Sequence, residues 1–108
     1  MSDEHKEETY EEFNARFVNF FDKQADDLFE LSRGLNNAFS ADLVPAPEVL
    51  VSAMKAARRL NSFPLAARTV EALKEKLGGD DKIYKEYLQE LKPVMEELGV
   101  PAPEELGR

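Results

Sequence analysis

Between Asp42 and Lys74 the chain reads DLVPAPEVLVSAMKAARRLNSFPLAARTVEALK, and this stretch limits how everything around it can pack. Pro47 opens a helix there, because its fixed φ suits the first turn and its missing N–H costs nothing at that position. Val49, Leu50, Ala53, Met54, Ala57 and Leu60 lie on one side of it. After the Asn61-Ser62-Phe63-Pro64 break a second helix begins, with Ser62 as its N-cap. Ala66, Val70, Leu73 and Leu77 follow at helical spacing. Two helices set back to back with almost no loop, and with stripes this narrow and alanine-rich, suit close helix-on-helix contact. They do not build a pocket.

The flanking segments read the same way. Thr9-Tyr10-Glu11-Glu12 fits a capping box, in which the threonine hydroxyl and the Glu12 carboxylate satisfy each other's backbone N–H groups. The helix it starts carries Tyr10, Phe13, Phe17, Phe20 and Phe21 on one stripe, read as core. A second helix is expected from Asp26 to Phe39, with Leu28, Leu31, Leu35, Ala38 and Phe39 inward. Asp26 and Asp27 favour its positive end. Gly34 in its middle costs roughly 1 kcal/mol against alanine, which a close crossing would rationalise. Pro45-Ala46-Pro47 stiffens the connector, and Gly78-Gly79 ends the fourth helix. Asp80 or Asp81 caps a fifth, with Tyr84, Tyr87, Leu88, Leu91, Met95 and Leu98 along its stripe. Pro93 inside it removes the bond to the Gln89 carbonyl and should bend it. One further helical turn is expected near residues 104–106.

The reading is therefore all-α: residues 1–8 a flexible acidic N-terminus, residues 9–106 a single helical domain. Helix starts near 26, 47, 63 and 81 are 21, 16 and 18 residues apart, so a helix pair recurs at about the 34-residue period of helical repeats. This implies about five antiparallel helices stacked as a small right-handed superhelix. Such stacks act by presenting a surface.

Composition narrows the function. Cysteine is absent and the single histidine is His5, which argues against thiolate or imidazole chemistry, and no cofactor is expected. A net charge of −8 argues against nucleic acid. No apolar run approaches the ~18 residues of a membrane span. The acidic pairs Asp26-Asp27 and Glu104-Glu105 are adjacent, so on a helix they diverge by about 100° and form no facing acid and base. The charge is uneven: residues 1–12 carry −5 and residues 49–77 carry +4. That asymmetry invites internal pairing or a charged partner. Nothing in MSDEHKEE reads as a signal or transit peptide.

Six short motifs in order carry a resemblance to a known family. They are Glu11-Glu12-Phe13-x-Ala15-Arg16, Asp42-Leu43-Val44-Pro45-x-Pro47, Ala57-Arg58-Arg59-Leu60-Asn61, Ala67-Arg68 with Glu71 and Lys74, Glu90-Leu91-Lys92-Pro93, and Glu97-Leu98-Gly99 with Pro103-Glu104-Glu105-Leu106. Over about Glu8 to Leu106 the chain resembles the cytochrome c oxidase subunit Va family, called subunit VI in fungi. Asn36-Asn37 and Pro45-Ala46-Pro47 lean to the fungal branch.

The resemblance implies a non-catalytic accessory subunit of mitochondrial complex IV, free of heme and copper. It would be peripheral on the matrix side of the inner membrane, supporting assembly, stability and regulation. Its partners would be the membrane-embedded catalytic core and a neighbouring nuclear-encoded single-helix subunit. It would meet the membrane only through them. Family members are made with a cleavable presequence, so this chain is expected to be a mature form. Arg58, Arg59 and Arg68 are the candidate partner contacts, because the planar guanidinium suits bidentate bonds to carboxylates. The alternative for these arginines is intramolecular pairing with Glu71, Asp42 or the acidic N-terminus. The alternative for the whole chain is a free-standing helical-repeat adaptor that binds a soluble protein partner in a groove lined by exposed apolar side chains.

Overall fold

Thr9 opens the first helix as its sequence requires: Glu12 N–H donates to Thr9 Oγ1 and Thr9 N–H to Glu12 Oε1, both at 3.0 Å. The computed structural model describes residues 8–102. The expected flexible N-terminus, apart from Glu8, and the expected turn near 104–106 lie outside them. Among the described residues the elements are α1 (Tyr10–Asn19), a π-helical turn (Phe20–Gln24), α2 (Leu28–Ser40), α3 (Pro47–Arg59), α4 (Phe63–Leu77) and α5 (Asp81–Leu98), with no strand. The caps are local and chemical. Asp27, Ser62 and Asp80 accept from the N–H groups of Glu30, Leu65 and Ile83, each worth about 1 kcal/mol. Asn61 takes a left-handed φ of 59°, which asparagine tolerates better than most residues, so α4 returns without a loop. Gly78, at φ 61°, does the same for α5.

Four side chains fix the helix directions. At one end Asn14, early in α1, accepts from Ala46 N–H just before α3, and Tyr87, early in α5, donates to Pro45 O. At the other end Arg59, closing α3, reaches Phe21 O beyond α1, and Arg58 meets Glu97, late in α5. So α1, α3 and α5 run one way. The short links 25–27, 41–46, 60–62 and 78–80 return α2 and α4 the other way. Contacts join α1 with α3, α2 with α4, and α3 with α5, as in a stacked array.

Helix α3 is the hub, touching every other element. Val49, Leu50, Ser52, Ala53, Met54, Ala56 and Ala57 are all buried, leaving a narrow outer stripe of Glu48, Val51, Lys55 and Arg58. Ala53, Ala56 and Ala57 cluster within about 100° of one face, where their small side chains let neighbours approach closely. Phe21, Leu31, Leu50, Met54, Leu73 and Leu91 are fully buried, each worth about 1.5–3 kcal/mol.

Three expectations need correction. The second helix begins at Leu28, not Asp26, because Asp27 is the residue whose carboxylate meets a free N–H. Leu28 and Tyr10, each the first residue of its helix, are exposed instead of core. The first helix ends in a π turn, closed by Ala25 N–H to Phe20 O at 3.0 Å. That turn buries Phe21 and lays Phe20 across α2, edge-on to Phe21 with centroids 5.4 Å apart. Gly34 is the result: a Cβ there would stand 3.0 Å from Phe21 Cε1 and closer still to the Phe20 ring. The close approach at Gly34 is made by rings, not by a crossing backbone. Helix α5 continues through Pro93, which lies on its exposed side.

Candidate functional site

Arg58, Arg59 and Arg68 do three different things. Arg58 Nη1 donates to Glu97 Oε2 at 3.3 Å, with the two side chains 59% and 62% exposed. An ion pair that open is worth at most about 1 kcal/mol. Arg59 points about 100° further round α3, where Nη2 donates to Phe21 O at 2.9 Å and Ala25 O at 3.4 Å. It satisfies carbonyls left over by the π turn. Arg68 is exposed on α4 and makes no hydrogen bond or ion pair within the described residues. None of the three pairs with Glu71, Asp42 or Glu8. The Arg59 partners were illegible because they are backbone atoms freed by a helix end that the sequence does not announce.

The same end of the molecule exposes aromatic surface. Phe63, at the first position of α4, is 53% exposed and lines a groove of about 330 Å³ with Arg58, Asn61, Ser62, Glu97 and Leu98. Phe29, in the first turn of α2, is 73% exposed beside Leu28. Because α2 and α4 run parallel and in contact, their first turns share this end. Sequence reading passed over Phe29, though a signal existed. It falls on the opposite side of α2 from Leu31, and a phenylalanine off the apolar stripe has no core to enter.

At the opposite end the connector, residues 41–46, is held by side chains from three helices. Tyr10 Oη donates to Val44 O at 2.7 Å and Tyr87 Oη to Pro45 O at 2.8 Å. Asn14 Oδ1 accepts from Ala46 N–H at 2.9 Å, and Lys76 Nζ donates to Ala41 O. Burial, and then the neighbouring Tyr10 phenol, push the Tyr87 pKa well above the ordinary 10.0. Nearby, Arg16 grips Glu8 through Nε and Nη2 at 2.7 and 2.9 Å while stacked 4.6 Å over Phe17. That hydrogen bond holds the Glu8 carboxyl below its usual range. Glu8, the one described residue of the acidic lead-in, is thus paired with Arg16 of α1 and not with the basic middle of the chain.

A third feature is an interhelical groove. Ala15, Val18 and Asn19 of α1 face Glu48, Val51 and Ser52 of α3 across a cleft of about 640 Å³, with Asp22 and Lys23 at its far mouth. Among the described residues no three potential ligands of the His, Cys, Asp and Glu type come together, and no helix is long and apolar enough to cross a membrane.

These are features of a surface. The profile of a family described as "Cytochrome c oxidase subunit Va" matches residues 6–108. The chain is 59% identical over 105 residues to "Cytochrome c oxidase subunit 6, mitochondrial" of Saccharomyces cerevisiae, covering 97% of this chain and 70% of that one. It is 54% identical over 103 residues to the protein of the same name in Neurospora crassa, covering 95% and 68%. To "Cytochrome c oxidase subunit 5A, mitochondrial" of Rattus norvegicus it is 47% identical over 100 residues, covering 93% and 68%. A profile match spanning nearly every residue, with identities this high over almost the whole length, leaves one conclusion: the chain belongs to the cytochrome c oxidase subunit Va family.

Proposed function

We propose that the chain is a non-catalytic accessory subunit of mitochondrial cytochrome c oxidase, peripheral on the matrix side of the inner membrane. It supports assembly and stability of the complex by being docked against, and regulation would act through that docking. Its relatives are named as mitochondrial oxidase subunits. The observation that carries the reading is exposed aromatic and arginine surface: Phe63 lining a groove with Arg58, Phe29 in the first turn of α2, and Arg68 exposed on α4 with no hydrogen bond or ion pair among the described residues. Aromatic and arginine side chains are the types enriched where proteins bind one another. On this reading Arg58 and Arg68 contact oxidase partners, and Arg59 holds the π turn that positions the surface. The partners are the membrane-embedded core and a neighbouring single-helix subunit.

The test is the double substitution Arg58→Glu with Arg68→Glu. Both side chains are exposed, so the isolated domain stays helical and melts within a few degrees of the parent, while its recovery in heme-containing oxidase falls several-fold. Normal recovery of a folded double variant discards this docking end. Recovery of the unsubstituted chain only with soluble proteins, and never with heme a, favours the free-standing adaptor instead.

A further inference from the structure

The groove between α1 and α3 is left uncovered by every described element, although its floor is apolar. Val18 and Val51 are half-buried in it and Ala15 is exposed. Small residues, Ala15 and Ser52, keep the two walls low. Because α1 and α3 run the same way, with Asn14 bonded to Ala46 N–H, Glu48 lies level with the start of the groove and Asp22 near its end. At 1.5 Å per residue these carboxylates are about 10 Å apart along it, or two helical turns. Glu11 continues the α1 wall one turn before Ala15. None of Glu11, Asp22 and Glu48 has an ion-pair partner within the described residues. Lys23 is the one cation among the lining residues.

An apolar trough between two parallel helices accepts the apolar face of a third, as helix-in-groove recognition does elsewhere. Its rim selects by charge. We infer that the α1–α3 groove seats a basic amphipathic helix of a neighbouring oxidase subunit, with Lys or Arg seven residues apart meeting Glu48 and Asp22. Apolar residues three and four positions in lie over Val18 and Val51. A helix with acidic residues at those positions is repelled, so the rim acts in partner choice more than in affinity. This rests on the accessory-subunit reading and adds a second docking face to it, separate from the Phe29 and Phe63 end.

The experiment uses the assembled oxidase. Ala15→p-benzoylphenylalanine places a photo-crosslinker on the exposed wall of the groove, and Ile83→p-benzoylphenylalanine, exposed at the start of α5, serves as the remote control. Complexes are isolated by heme a absorbance, irradiated, and the crosslinked peptides mapped. The Ala15 probe is expected to capture a helix of another oxidase subunit bearing two basic residues seven apart, and the Ile83 probe is not. Adding Asp22→Lys and Glu48→Lys lowers that crosslink at least ten-fold, or lowers incorporation of a chain whose circular dichroism remains helical. Capture of a second copy of this chain, of an acidic segment, or of nothing overturns the inference. So does an unchanged yield in the charge-reversed chain. Failure of the unsubstituted chain to accompany heme a is a different result, and sinks the accessory-subunit reading itself.

Discussion

Arg58 and Arg59 are neighbours of identical chemistry, yet truncating them should have very different costs. Arg59, though exposed, donates to two carbonyls left over at the π turn, Phe21 O at 2.9 Å and Ala25 O at 3.4 Å. A hydrogen bond from a charged donor contributes about 1.5–3 kcal/mol, and the carbonyl it leaves behind is poorly placed to find water. Arg59→Ala should therefore cost about 2–3 kcal/mol, or a fall in Tm of about 8–12 °C in a domain of this length. Arg58→Ala removes only a solvent-exposed pair at 3.3 Å and should move Tm by less than about 4 °C. Arg59→Lys, whose ammonium reaches one carbonyl but cannot fork to two, should fall between. Thermal unfolding followed by far-UV circular dichroism measures all three, and hydrogen exchange at the Ala25 amide reports the π turn directly. Equal shifts for Arg58→Ala and Arg59→Ala would refute the division of labour drawn between them.

Other substitutions test the remaining contacts. Asn14→Ala strips the acceptor from Ala46 N–H, where Asn14 is nearly fully buried, and should cost about 1–3 kcal/mol in urea unfolding. Gly34→Ala gains about 1 kcal/mol of helix propensity but drives a methyl into the Phe20 and Phe21 rings, an overpacking cost of about 1–3 kcal/mol. The net should be a loss near 1 kcal/mol, abolished when Phe20→Leu makes room; stabilisation by Gly34→Ala alone refutes the close approach. Tyr87 has its folded pKa raised above 10.0, so its stabilising effect is complete below that pH. Above it the unfolded phenol releases its proton first, and stability falls as pH climbs toward the folded value. Tyr87→Phe should be less stable at neutral pH and show a flatter alkaline decline; parallel declines in the two proteins would count against the buried phenol.

Most of the helical framework was legible because it is written in short-range chemistry. Thr9, Ser62 and Asp80 cap where their side chains can reach an N–H three residues on, and Pro47 and Gly78 mark an entry and an exit through φ alone. The π turn was not legible, since nothing in Phe20-Phe21-Asp22-Lys23-Gln24 departs from an ordinary helix; the extra residue in the turn is set by the need to seat two adjacent rings on different neighbours. The carbonyl partners of Arg59 were not legible for the same reason, as they exist only once that turn has formed. Tyr10 and Tyr87 read as core by spacing, while their hydroxyls serve a connector 34 and 42 residues away. Phe29 could have been found from its position on the wheel. The groove of Ala15 and Val51 could not, because it depends on α1 and α3 lying side by side.

The pinned connector also tells an experimenter where the polypeptide can be cut or lengthened. Residues 41–46 look like the obvious splice point in the sequence, yet a tag placed there would break bonds to α1, α4 and α5 together. The Gly78-Gly79 turn is the opposite case: both residues are exposed, and added atoms at either meet nothing within 4 Å. A fluorophore loop or a new pair of termini belongs at those glycines, where it leaves the connector's bonds and both docking faces intact.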